Sequence, residues 1–215
     1  MRQTLERVGL DPAMAARYPH AHSVAFAQFL GVAKVGFFRG ANTTTDCLTR
    51  VKPWLARLRA YADVDEANCS LGVVLAQPGL DDDVRALLLT IQNDLFDVGA
   101  DLCTPVIDEP EHPPLRITDA YISTLETACD EYNERLEPLR SFVLPGGTLT
   151  AAYLHVARTV VRRAERTTWA ALDTYHGGMN PLTATYLNRL SDLLFILART
   201  ANAGDDVLWQ PGARS

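Results

Sequence analysis

Arg158, Arg162 and Arg166 recur at i, i+4 and i+8, the spacing that puts three side chains on one face of a helix. Like charges at that spacing repel mildly, and Glu165 stands where it can relieve part of the repulsion. Each guanidinium can chelate two oxygens, so a row of them suits a polyphosphate. Without such a ligand the same row is an ordinary solvated face. Val156, Val160 and Ala164 lie two positions away, which predicts an apolar side turned from the arginines. Further on, Asn188, Asp192 and Arg199 share a face about 100° from a leucine stripe. An Asn and an Asp one turn apart can take a ligand hydroxyl, a metal or an arginine, or form a plain surface pair.

Other reactive groups carry less. Asp63, Asp65 and Glu66 read as acids early in a helix, complementing its dipole. Glu109 to His112 spells a single Glu-x-x-His in a Pro-rich stretch, whereas a di-iron bundle needs the motif twice, on helices, with two further Glu. It is set aside. His155, a lone histidine beside apolar residues, reads as structural.

The elements that must position these groups are helices. Tyr61, Val64, Leu71 and Leu75 begin a helical period near Arg57 that Pro78-Gly79 ends. Val84, Leu88, Ile91, Leu95, Val98 and Leu102 form a full stripe, with Asp81 to Asp83 suited to its N-terminal turn. The linker from Val106 to Arg116 reads as a surface loop. Ile122, Leu125, Cys129, Tyr132 and Leu136 line a third helix, which stops before Pro138. Thr148 reads as the N-cap of a fourth, closed near Tyr175 by His176-Gly177-Gly178. A fifth follows Asn180-Pro181, with Leu187, Leu190, Leu194 and Leu197 as its stripe. No strand pattern competes, so the fold class is an all-α five-helix bundle.

Composition bounds the function. The chain has 215 residues, 47% hydrophobic and 21% charged, which supports a folded core rather than disorder. Its net charge of −6 argues against nucleic acid as a partner. No apolar run is long enough for a membrane span. The four cysteines are widely spaced without a Cys-x-x-Cys pair, which fits a reducing compartment and no structural zinc. Charge divides the chain: residues 1–50 form a divergent segment of net +3, and the helical part, 51–212, belongs to an acidic remainder.

Four segments together resemble the PduO-type ATP:cob(I)alamin adenosyltransferases. They run from Arg59 to Asn68, from Ile91 to Leu102, from Ser141 through the Pro145-Gly146-Gly147 turn to Arg166, and from Tyr186 to Phe195. The resemblance spans about residues 57–212 and implies a homotrimer with active sites between subunits. It implies transfer of the 5′-deoxyadenosyl group of ATP to cob(I)alamin, with Mg²⁺ accompanying the nucleotide and no residue set assigned to a metal. By motif, Arg158, Arg162, Arg163, Glu165, Arg166, Asn188, Asp65 and Lys52 fall to ATP binding. Arg162 and Asp192 fall to catalysis, with Asp192 orienting Arg162 or its surroundings. Arg158 would pair with Asp65 of a neighbouring subunit, and Phe142 would lie under the corrin and exclude its lower ligand. An adenosylcobalamin-dependent enzyme would accept the product, in a bacterial cytoplasm rather than a mitochondrial matrix. The family's N-terminal loop, Tyr-Thr-x-x-Gly-Asp-x-Gly-x-Thr, is replaced here by a degenerate Gly40-Ala41-Asn42-Thr43-Thr44-Thr45. The acidic residue and the second glycine are missing, and a phosphate loop needs glycine for its backbone N–H groups to approach closely. That loss leaves a second function class open, a non-catalytic cobalamin carrier of the same fold.

Overall fold

The computed structural model describes residues 44–110 and 112–212, with side chains from Ala56 onward, and the described residues form a bundle of five helices. They are α1 (Thr44–Leu75), α2 (Asp82–Cys103), α3 (Asp119–Asn133), α4 (Leu149–Tyr175) and α5 (Leu182–Ala201). Helix α4 lies between α1 and α5, α2 packs on α1, and α3 packs on α5. The all-α expectation holds among the described residues, where the β pairing is a single bridge, Val143 to Leu208.

Helix α2 follows its pattern completely: all six predicted stripe residues are buried. Each fully buried leucine contributes about 1.5–3 kcal/mol of transfer free energy. Leu187, Leu190, Leu194 and Leu197 of α5 are likewise buried, joined by Tyr186 and Leu193. Thr148 caps α4 as expected, its hydroxyl accepting from Ala151 N at 3.1 Å. At the other end His176 takes the left-handed conformation, φ 32°, and Gly177 follows at φ 83°.

Two expectations need correction. Helix α1 begins at Thr44, well before its hydrophobic period, and runs through Pro53, which removes only the one backbone donor that would reach Thr49. The acids Asp63, Asp65 and Glu66 therefore sit deep in α1 and complement no dipole. The face of α1 is Ala60, Val64, Ala67, Leu71 and Val74, with Tyr61 and Leu75 only half-buried. On α4 the buried face is Leu154, Ala157, Val161, Ala164, Thr168 and Ala171, and Val156 is exposed. Arg158 lies three residues from Val161, about 60° round the helix. The arginine row flanks the core stripe instead of opposing it. In both helices the contact is carried by alanines, which a search for large apolar residues passes over.

A buried carboxylate ties the far end of the bundle together. Asp101, fully buried, accepts from Arg116 Nη1, from Ile117 N at 2.8 Å and from Asn180 Nδ2 at 2.7 Å. The Pro-rich linker is thereby fastened to α2 and to the start of α5. Arg57, also buried, donates Nε to Leu102 O at 2.8 Å and stacks on Tyr175, joining α1, α2 and α4.

Candidate functional site

Between α4 and α5 opens a cleft of about 420 Å³, lined by Arg158, Arg162, Ser191, Asp192, Phe195 and Ile196. The α4 arginines reach it because they flank the packed face of their helix. The α5 residues reach it because Asp192, Phe195 and Ile196 recur at i, i+3 and i+4, beside the leucine stripe. Two guanidinium groups, a carboxylate and an aromatic edge thus converge on one space.

The charged groups are braced from behind. Glu165, only 7% exposed, approaches Arg162 Nη1 to 3.0 Å with Oε2 and accepts from Asn188 Nδ2 at 3.0 Å with Oε1. One carboxylate therefore couples α4 to α5 and sets Arg162 against the cleft. Asp192 is held by Arg189 Nη1 at 3.1 Å, and Arg189 Nε in turn bonds Glu126 of α3 at 2.9 Å. Among the described residues Asp192 pairs with Arg189, not with Arg162. Arg158 makes no ion pair among the described residues, and its buried Nε has no hydrogen-bond partner there.

Arg163 points away from the cleft. It pairs with Asp63 at 3.4 Å and with Glu66, both on α1, and Thr167 Oγ1 donates to Asp63 at 2.8 Å. Arg166 is exposed, and Asp65 is half-buried on α1. Arg199 does not join Asn188 and Asp192; it is buried at the end of α5 and bonds Asp206 at 2.8 Å. Lys52 lies on the α1 backbone with its side chain outside the described residues, as residues 40–43 are altogether.

Phe142 stands on a second feature. Segment 141–144 pairs with 207–209: Trp209 N donates to Phe142 O at 2.8 Å and Leu144 N to Val207 O at 2.7 Å. Phe142 is 76% exposed, and its ring meets that of Trp209 at 5.8 Å between centroids. Leu144, Val207 and Leu208 are exposed beside them. Contiguous exposed apolar surface of this kind marks a ligand or partner site. His155 is buried beside the cleft, its ring 6.1 Å from that of Phe195. Burial and the Arg158 charge hold its pKa below the ordinary value, while Asp206 opposes them.

Sequence reasoning passed over Ser191, Phe195 and Ile196. Their signal was present: they sit one and two turns beyond Asn188. The polar cluster of Arg199, Asn202 and Asp206 has no periodic signal, because a turn separates its members.

The sequence model of the family described as cobalamin adenosyltransferase matches residues 38–201. The corrinoid adenosyltransferase of Mycobacterium tuberculosis is 59% identical over 165 residues, 77% of this chain and 86% of that one. That of Bacillus subtilis is 41% identical, covering 68% and 75%. A variant PduO-type ATP:corrinoid adenosyltransferase of Lactobacillus reuteri, complexed with cobalamin and ATP, superposes with a TM-score of 0.65 at 35% identity, covering 72% of this chain and 86% of that one. With its four motifs carried on this bundle and more than half its length matched, the chain belongs to the cobalamin adenosyltransferase family.

Proposed function

We propose that this chain transfers the 5′-deoxyadenosyl group of ATP to cob(I)alamin, giving adenosylcobalamin and triphosphate. The observation that carries the reading is the convergence of Arg158, Arg162 and Asp192 on one cleft. In the reaction Co(I) supplies an electron pair to C5′. The Co–C5′ bond forms as the C5′–O bond breaks, and the triphosphate leaves with that bond's electrons. No covalent enzyme intermediate is required, so the protein's work is positioning, charge stabilisation and exclusion of water.

Arg162, braced by Glu165, offsets the charge growing on the departing triphosphate. Arg158, with its free Nε, takes a second phosphate or reaches Asp65 of a neighbouring subunit in a homotrimer. Asn188 contacts the nucleotide while bonded to Glu165. Arg166 extends the basic face, and Lys52 keeps its assignment to ATP binding by motif alone. Arg163 serves as the brace of α4 against α1. Asp192 limits how far the phosphates can travel along α5. Among the described residues no three His, Cys, Asp or Glu side chains converge. A Mg²⁺ accompanying the ATP would neutralise phosphate charge, and Asp192, the carboxylate lining the cleft, is the residue that would help hold it. Phe142 presents an apolar face to the corrin in place of a lower axial ligand. Without that ligand Co(II) is easier to reduce.

Among the described residues no helix is long and apolar enough to cross a membrane. With bacterial relatives, the setting of the reading is a bacterial cytoplasm, where an adenosylcobalamin-dependent enzyme accepts the product. The test is anaerobic incubation with reduced cobalamin and ATP. A rise in adenosylcobalamin absorbance with stoichiometric triphosphate supports the reading; cobalamin binding without either product refutes it and leaves a carrier.

A further inference from the structure

The Phe142–Trp209 platform has almost no regular structure of its own. One bridge and a few edge bonds join its two segments, among them Ser141 Oγ donating to Trp209 O at 2.8 Å. What fixes it to the bundle is a buried polar cluster. Arg199, 7% exposed, donates Nε to Asp206 Oδ2 at 2.8 Å and Nη2 to Glu137 O at 2.8 Å. Asn202, 4% exposed, donates to Asp206 Oδ1 at 3.3 Å and to Gly146 O at 3.1 Å, and accepts from Thr148 N at 2.9 Å. One carboxylate, one guanidinium and one amide thus join the end of α5, the C-terminal segment and the turn that launches α4. Gly147 is moulded to the same cluster: it has φ +97°, and a Cβ there would fall on the Asn202 amide.

A buried ion pair is weak as a stabiliser, since an apolar replacement often holds a fold equally well. What it supplies is orientation, because its donors and acceptors fit in one arrangement. We propose that Asp206 is a positioning residue for the corrinoid: through Arg199 and Asn202 it sets the height and tilt of the Phe142–Trp209 platform. The proposal rests on the reading of Phe142 as the corrin contact. It goes beyond that reading in assigning the platform's geometry to a cluster that touches no substrate.

The test uses the full chain with Trp54→Phe and Trp169→Phe, a background first checked for unchanged turnover, so that fluorescence reports Trp209 alone. In Asp206→Asn, Trp209 emission should move to the red and become more quenchable by acrylamide. The KM for cob(I)alamin should rise about tenfold, less than the direct loss of one charged partner in a desolvated pair, because Asp206 acts on the corrinoid only through the platform. The Kd for ATP should stay within about twofold, since the cleft is built from other residues. Unchanged Trp209 emission overturns the proposal. So does an equal loss of ATP affinity and helicity, which would mark a purely structural role. So does a freed Trp209 with an unaltered corrinoid KM. Phe142→Ala, run in parallel, then separates the cases: if it too leaves the corrinoid KM unaltered, the reading of Phe142 has failed, and if it raises it, only the assignment to Asp206 has. Should Asp206→Asn not fold, Trp209→Ala at its 45% exposed position removes half the platform and leaves the cluster intact. It should raise the same KM, and an unaltered KM there overturns the proposal.

Discussion

Replacing Arg162 and Glu165 singly and together measures whether the carboxylate acts through the guanidinium. Arg162→Ala removes a preorganised donor at the leaving triphosphate, a loss of about 2.7–4 kcal/mol where such groups have been deleted. The Arg162 side chain is 46% exposed, so solvent takes over part of its task and the lower end is expected, about 100-fold in turnover. Glu165→Gln keeps the volume and the acceptor for Asn188 but discharges the oxygen lying 3.0 Å from Arg162. The contact is an ion pair without hydrogen-bond geometry, and with Arg162 about half exposed such a pair contributes at most about 1 kcal/mol, near fivefold in turnover. The double variant should be no slower than Arg162→Ala alone, because the brace has nothing left to hold. The assay is anaerobic turnover with reduced cobalamin and saturating ATP, with circular dichroism to confirm unchanged helix content. Additive losses would refute the coupling. A wild-type rate in Glu165→Gln would show that Arg162 needs no brace.

Asp101→Ala should destabilise the bundle by about 3 kcal/mol or more, since it strands three donors from two segments. A fall in Tm on the order of 10 °C is expected, and a change within about 2 °C would rule the hub out. Phe142→Ala should let water or the lower ligand return to cobalt, so that bound cob(II)alamin loses its four-coordinate optical features; an unchanged spectrum assigns Phe142 to packing. His155 gives a pH prediction. Its folded pKa lies below the ordinary 6.5, first from burial and then from Arg158, so the unfolded chain binds the proton more readily. Its contribution is therefore complete above about pH 6.5 and is lost as the pH falls through the lower folded value. His155→Gln should flatten the loss of Tm between about pH 7 and pH 5, and parallel curves for variant and parent would exclude this source.

What could be read in the sequence follows side-chain size and distance along the chain. Helix α2 was legible because six large apolar residues repeat without a break. The start of α1 was not, since Thr44 to Ala56 has no apolar period and contains Pro53. Arg158 and Arg162 were legible as a pair from i, i+4 spacing. That Asp192 and Phe195 share their cleft with the arginines depends on how α5 leans on α4, which periodicity within either helix cannot show. The Glu165 bond to Asn188 and the Arg199 bond to Asp206 are contacts of tertiary origin, one between helices and one across a turn. Arg163 was assigned to ATP binding by motif alone, outside the i, i+4 row; one helical step of 100° from Arg162 sends it to α1.

The alanines at the seam of α1 and α4 set a gauge. Ala60 and Ala67 on one helix and Ala157, Ala164 and Ala171 on the other are fully or almost fully buried, which suits an interaxial spacing at the short end of about 8–10 Å. A gap that narrow has little give. A valine or leucine in place of Ala157 or Ala164 has nowhere to go except by pushing the helices apart, and α4 would carry Arg158 and Arg162 outward with it. The smallest side chains in the bundle thus fix the reach of its longest, and anyone re-engineering the nucleotide preference of this protein would do well to leave the seam alone.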